Sequence, residues 1–138
     1  MEKLQINVDK EATKAYRLKH EQQCSCAYCR NYYKTFKMKY PQTSKLLTEL
    51  GLDTDYPLEI MPFELEHRSN EVEYMSFYPV EGTMDECEIK LVSEELAIHV
   101  IKGSHENNPC PNPKMEEPYI LIGISGVRLP WVLDEDPE

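Results

Sequence analysis

The rhythm of hydrophobic and polar positions changes near residue 53. Before it, apolar residues recur at helical spacing; after it, they alternate or run together in short blocks. The opening stretch pairs Leu4, Ile6 and Val8 on one face, which predicts a short strand. Asp9 is placed to cap a helix from about Lys10 to Gln23. Its apolar stripe, Ala12, Ala15 and Tyr16 with the stem of Lys19, is thin and predicts a helix lying on the surface. Tyr28, Tyr32, Phe36 and Tyr40 then fall at every fourth position, with Cys29 and Tyr33 beside them, which is one face of a second helix. Pro41 stops that helix or opens the next, a short third helix burying Leu46, Leu47 and Leu50. Gly51 fits a left-handed C-cap, with Leu52 folding back.

The second part reads as strands: PLEIMPFELE (57–66), VEYMSFYPV (72–80), CEIKLV (87–92), LAIHVIK (96–102) and PYILIGIS (118–125). Cys87, Ile89 and Leu91 alternate with Glu88 and Lys90, the pattern of an antiparallel sheet with one wet face. YILIGI is apolar on both faces and is expected at the sheet's centre, around Ile120, Ile122 and Ile124. Pro62 predicts an edge position or a bulge in its strand. Residues 103–117 form the longest expected loop. Val127, Leu129, Trp131 and Leu133 alternate in the tail, which should pack Trp131 on the body. Helices first and strands afterwards indicate an α+β fold, with about three N-terminal helices on a mostly antiparallel sheet of roughly five to six strands. The 138 residues suit a single domain 1–138, with a helical, cysteine-bearing part at 1–53 and a β part at 54–138.

Charge adds a polarity to this picture. The net charge is −10, but residues 1–50 carry ten Lys/Arg against five Asp/Glu, and the remainder carries five against twenty. The two parts should attract each other across the fold and keep the surface soluble. So many acids repel a phosphate backbone, so nucleic acid is an unlikely partner; a charged protein partner fits better. No apolar leader and no membrane-length apolar run is visible, so the expected location is cytoplasmic, where thiols stay reduced. The chain shows no Gly-rich phosphate loop, no G-x-S-x-G elbow and no H-E-x-x-H helix.

Candidate chemistry concentrates in the stretch KHEQQCSCAYCRNYYKTF (19–36). Cys24, Cys26 and Cys29 crowd into six positions, with His20 four residues upstream. Within one continuous helix, positions 24 and 26 would point about 200° apart and could not share an ion. A chain that turns at 24–29 between two helices lets the three thiolates converge. Zinc suits such a set, with His20 as the fourth ligand, or one of Cys87, Cys110, His67, His99 and His105 in its place. Two other readings stand beside it. Cys26 and Cys29 at a helix start, next to Arg30, suit a thiol redox enzyme or sensor. Alternatively, the thiols are small apolar side chains packing a helix joint. His99 is expected half-exposed on the sheet, the aromatic stripe is expected in the core, and Glu64, Glu66, Glu71 and Glu73 read as a solvated face. No catalytic acid, base or nucleophile is assigned.

HEQQCSCAYCRNYY, then LLTELGLD followed by YPLEI, and the ending LPWVLDE resemble, in that order, a family of short uncharacterised proteins from Firmicutes and their mobile elements. The core C-x-C-x-x-C-R-N-Y is its most specific part. The resemblance implies a cytoplasmic bacterial protein and supplies no activity. Together these features lead to the expectation of a small non-enzymatic binding or interaction module, with possible zinc stabilisation through the cysteine cluster; the alternative is thiol redox chemistry at Cys26 and Cys29.

Overall fold

A carboxylate one residue ahead of a helix satisfies one of its orphan N–H groups. Asp9 does so, accepting the Ala12 N–H at 2.9 Å. The computed structural model describes residues 6–19, 23–63, 68–103, 115 and 117–135. Within it, β1 spans Ile6–Val8, and α1 spans Lys10–Lys19. Ala15 and Lys19 are exposed, and the buried residue of α1 is Thr13. Its hydroxyl donates to the Asp9 carbonyl at 2.8 Å and accepts the Glu81 N–H at 3.1 Å. A polar side chain therefore ties this helix down where an apolar stripe was expected.

Helix α2 (Ala27–Lys39) and helix α3 (Pro41–Glu49) meet at Tyr40, with Pro41 opening α3. The missing N–H of proline costs nothing in a first turn. Gly51 ends α3 at φ +91, and Leu52 donates back to the Leu47 carbonyl at 3.1 Å. A left-handed residue here favours glycine, because it carries no Cβ to clash.

The strands are β2 (Glu59–Pro62), β3 (Glu71–Met84), β4 (Glu88–Ser93), β5 (Leu96–Lys102) and β6 (Tyr119–Pro130). With β1 they form a six-stranded sheet in the order β1-β3-β6-β5-β4. Every pairing is antiparallel. β1 and β2 share one edge of β3, the first along residues 82–84 and the second along residues 74–77. Pro62 thus ends an edge strand, while the irregularity lies in β3, between Tyr74 and Ser76. β3 and β6 are longer than their apolar runs suggested, and the tail through Pro130 continues β6. The fold is α+β, with helices on a mostly antiparallel sheet.

The two-sided character of β6 reflects a core on each face. Ile120, Ile122, Ile124, Val127 and Leu129 join Tyr32, Phe36, Tyr40 and Leu47 beneath the helices. Tyr119 and Leu121 alternate to the other face with Met115, Tyr16 and Leu58. Each such side chain taken from water contributes roughly 1.5–3 kcal/mol. Gly123 keeps that second face open for an aromatic ring, since a Cβ there would come within 3.1 Å of the Phe77 ring.

The β4–β5 turn places Glu94 and Glu95 at φ +52 and +71, a left-handed pair that two-residue hairpins require and glutamate resists. Glu94 gains a role in exchange: its carboxylate accepts the Thr43 N–H at 2.7 Å in the first turn of α3. Opposite charges also meet between the basic and acidic parts of the chain, at Lys37–Asp55 (3.1 Å), Lys39–Glu71 (3.7 Å) and Arg30–Glu135 (2.7 Å). These pairs are partly or largely exposed, so they orient the layers more than they stabilise them.

Candidate metal centre

The chain between α1 and α2 has no regular structure at residues 23–25, and Cys26 is the N-cap of α2 with φ −67 and ψ 163. That extended residue breaks the angular conflict a continuous helix would impose. Cys26 and Cys24 sit on the approach, while Cys29 looks back from the first turn. Their three sulfurs lie within 4.8 Å of one another, close enough to hold a metal ion. Cys24 and Cys26 are exposed, and Cys29 is buried.

Two side chains of α2 shape this knuckle. Tyr33 donates its hydroxyl to the Cys24 carbonyl at 3.0 Å, and Arg30 donates Nε to the Ser25 carbonyl at 2.8 Å. The first helical bond, from the Arg30 N–H to the Cys26 carbonyl, is 2.9 Å. Upstream, Gln23 Nε2 reaches the Asp55 carbonyl at 2.6 Å. The loop's carbonyls are thus held from within α2, and its thiols are left to face one another.

The thiols are electrostatically unequal. The Cys26 backbone N–H, and then the Cys29 and Cys26 thiols, donate towards Cys24 and lower its pKa. Burial raises that of Cys29, reinforced by its two neighbouring thiols. A divalent cation held by the three sulfurs would override that inequality, because a coordinating thiol is deprotonated outright.

His20, proposed as the fourth ligand, lies outside the described residues, as do Cys110, His67 and His105. Cys87 is exposed and follows β3, where its carbonyl accepts the Lys102 N–H at 2.9 Å. His99 is half-buried, its Nδ1 3.0 Å from Glu88. It pairs with Gly123 in register, on the sheet face opposite Ile98 and Val100. That puts it away from the helical layer and the knuckle. Glu71 and Glu73 face Arg128 at 3.3 and 3.5 Å, and Glu64 and Glu66 fall outside the described residues.

The residues that sequence reasoning did not assign are those anchoring the knuckle to the body. Asn31 is fully buried. Its Nδ2 donates to the Pro130 carbonyl at 3.0 Å, and its Oδ1 accepts the Val132 N–H at 2.9 Å. Arg30 grips both carboxylate oxygens of Glu135, at 2.7 and 3.2 Å. Tyr28 meets Trp131 edge-on, with centroids 5.7 Å apart, and its carbonyl accepts the Tyr74 hydroxyl at 2.7 Å. The polar Asn31 sits between Tyr28 and Tyr32 on the buried, otherwise aromatic side of α2, which was the signal available in the sequence; Arg30 lies on the exposed side.

No protein-family model matches the chain, and no match is found among curated proteins or solved structures. Among the described residues, no helix is long and apolar enough to cross a membrane.

Proposed function

We propose that the protein is a small non-enzymatic interaction module of the bacterial cytoplasm, stabilised by zinc at Cys24, Cys26 and Cys29. The convergence of three sulfurs within 4.8 Å at the joint of two helices carries this reading. Zinc accepts three thiolates and one imidazole in a tetrahedral shell, and His20 is the fourth ligand we propose. A shell filled by protein leaves no position for water or substrate, so the ion contributes folding free energy rather than catalysis. The buried hydroxyls nearby are already committed to structure: Tyr32 bonds Ser76 and Tyr78 at 2.9 and 2.8 Å, and Tyr78 bonds the Thr54 carbonyl at 2.8 Å.

Elemental analysis of the purified protein, combined with thiol counting, tests the proposal. One zinc per chain with protected thiols is the expected result, and His20→Ala should weaken its retention. The second reading, thiol redox chemistry, draws support from the exposed Cys26 beside the buried Cys29 and from the lowered pKa of Cys24. It requires the opposite outcome: no metal, and one thiol reacting far faster than the others.

A further inference from the structure

The cysteine knuckle and the C-terminal segment are held by the same turn of α2. Arg30 is a two-ended clamp: Nε holds the Ser25 carbonyl inside the knuckle, and the two terminal nitrogens hold Glu135. Tyr28, between Cys26 and Cys29 in sequence, carries Trp131 on its ring. Asn31, two residues after Cys29, holds Pro130 and Val132. The segment also closes on itself, the Trp131 indole donating to the Glu135 carbonyl at 2.8 Å.

We propose that metal occupancy of the Cys24–Cys26–Cys29 site locks the segment Pro130–Glu135 onto α2, so that the ion and the segment bind cooperatively. This rests on the metal reading above. An ion that fixes Cys24 and Cys26 also fixes Ser25 between them. Fixing the Ser25 carbonyl sets the guanidinium plane of Arg30, and that plane presents the fork Glu135 needs. An ion on Cys29 restrains the turn bearing Tyr28 and Asn31. Among the described residues, 23–25 are held by the side-chain bonds of Gln23, Tyr33 and Arg30, so a loop that shifts for want of the ion would take the Ser25 end of the Arg30 clamp with it. Linkage makes the effect reciprocal: whatever factor the ion adds to docking, docking adds to ion affinity.

The full-length protein, stripped of metal and titrated with Zn²⁺ alone, tests this. Trp131 is the chain's single tryptophan, and zinc has no redox or d-electron quenching of its own, so indole emission reports docking directly. Hydrogen exchange at the Val132 amide, which Asn31 accepts, gives a second readout, with the β4–β5 hairpin amides as remote reference. One equivalent of Zn²⁺ should shift the emission and slow Val132 exchange by about fivefold, the low end of coupling between linked sites, with the hairpin unchanged. Glu135→Gln leaves the Ser25 contact in place and should lower Zn²⁺ affinity by a similar factor. If Zn²⁺ binds one to one while indole emission, Val132 exchange and the Glu135→Gln affinity all stay constant, the coupling is overturned and the metal reading stands. If no Zn²⁺ binds, both fall.

Discussion

Replacing Asn31 by alanine removes the side chain that joins the helical layer to the end of β6. Asn31 is fully buried and makes two well-formed bonds, to the Pro130 carbonyl at 3.0 Å and from the Val132 N–H at 2.9 Å. Its third contact, to the Tyr74 hydroxyl at 3.5 Å, is too long to count for much. Each good neutral bond is worth about 1 kcal/mol net, and a donor or acceptor stranded away from water costs roughly 1–3 kcal/mol more. Pro130 and Val132 are both exposed residues, so water can reach the carbonyl and the N–H that the amide leaves, and the loss is mainly that of the two bonds themselves. The expected destabilisation is about 2 kcal/mol, or roughly 5–8 °C in Tm for a domain of this size. Thermal unfolding followed by far-ultraviolet circular dichroism measures it. Asn31→Asp is the informative companion: it keeps an acceptor for Val132 but sets a carboxylate against the Pro130 carbonyl, so at neutral pH it should be at least as damaging. An alanine variant melting within a degree of wild type would show that the clamp is redundant and that apolar packing alone seats the segment.

Three further outcomes follow from the same structure. Burial holds Tyr32, Tyr74 and Tyr78 above the ordinary tyrosine pKa. A raised folded pKa keeps its stabilisation below the unfolded value of about 10 and loses it as pH climbs beyond, so tyrosinate absorbance should appear together with unfolding in alkali, and phenolates forming in a still-folded chain would contradict this. Cys26→Ser and Cys29→Ser should each remove the drop in Tm that a chelator causes in the wild type; in metal-free protein the buried Cys29→Ser alone should cost stability, since Cys26 is exposed. A chelator that moves no Tm at all would refute a structural ion. Glu95→Gly relieves a left-handed glutamate at φ +71 and should raise stability by about 1 kcal/mol in chemical denaturation, whereas a loss would mean the Glu95 side chain has a partner in solution.

The fold was legible where side-chain period and burial agree. The spacing of Tyr28, Tyr32, Phe36 and Tyr40 marked α2 because a four-residue step on a helix can only build one face. LAIHVIK matched β5 residue for residue, since Leu96, Ile98 and Val100 pack into the core beneath the helices while His99 is half-buried on the opposite face. Two features escaped. The buried member of α1 is Thr13, whose hydroxyl serves both its own helix and the edge of β3; hydrophobic patterning cannot register an anchor made of hydrogen bonds. The strands β3 and β6 outran their apolar runs because pairing over Glu71–Glu81 and Tyr119–Pro130 is sustained by backbone bonds, which charged and glycine positions make as well as apolar ones.

The site was legible only as far as angles go. That three cysteines could converge only at a turn followed from helix geometry alone, and the extended Cys26 N-cap is the turn that argument needed. What the angles could not supply was the reason for placing it there. Arg30 and Asn31 follow Cys29 directly, and their partners, Pro130, Val132 and Glu135, lie about a hundred residues later. No local pattern connects positions so far apart. The stretches YCRNYY and LPWVLDE nevertheless fit each other group for group: guanidinium to carboxylate, amide to two backbone groups, and Tyr28 edge-on to Trp131. A cluster meant only to fill a helix joint would not need two of its three thiols exposed, nor a buried amide and a forked cation on the same turn. That pairing of an exposed thiol knuckle with a long-range polar clamp is what the proposed metal-braced joint would need, and under that proposal residues 130–135 are the place where loss of an ion should be felt first.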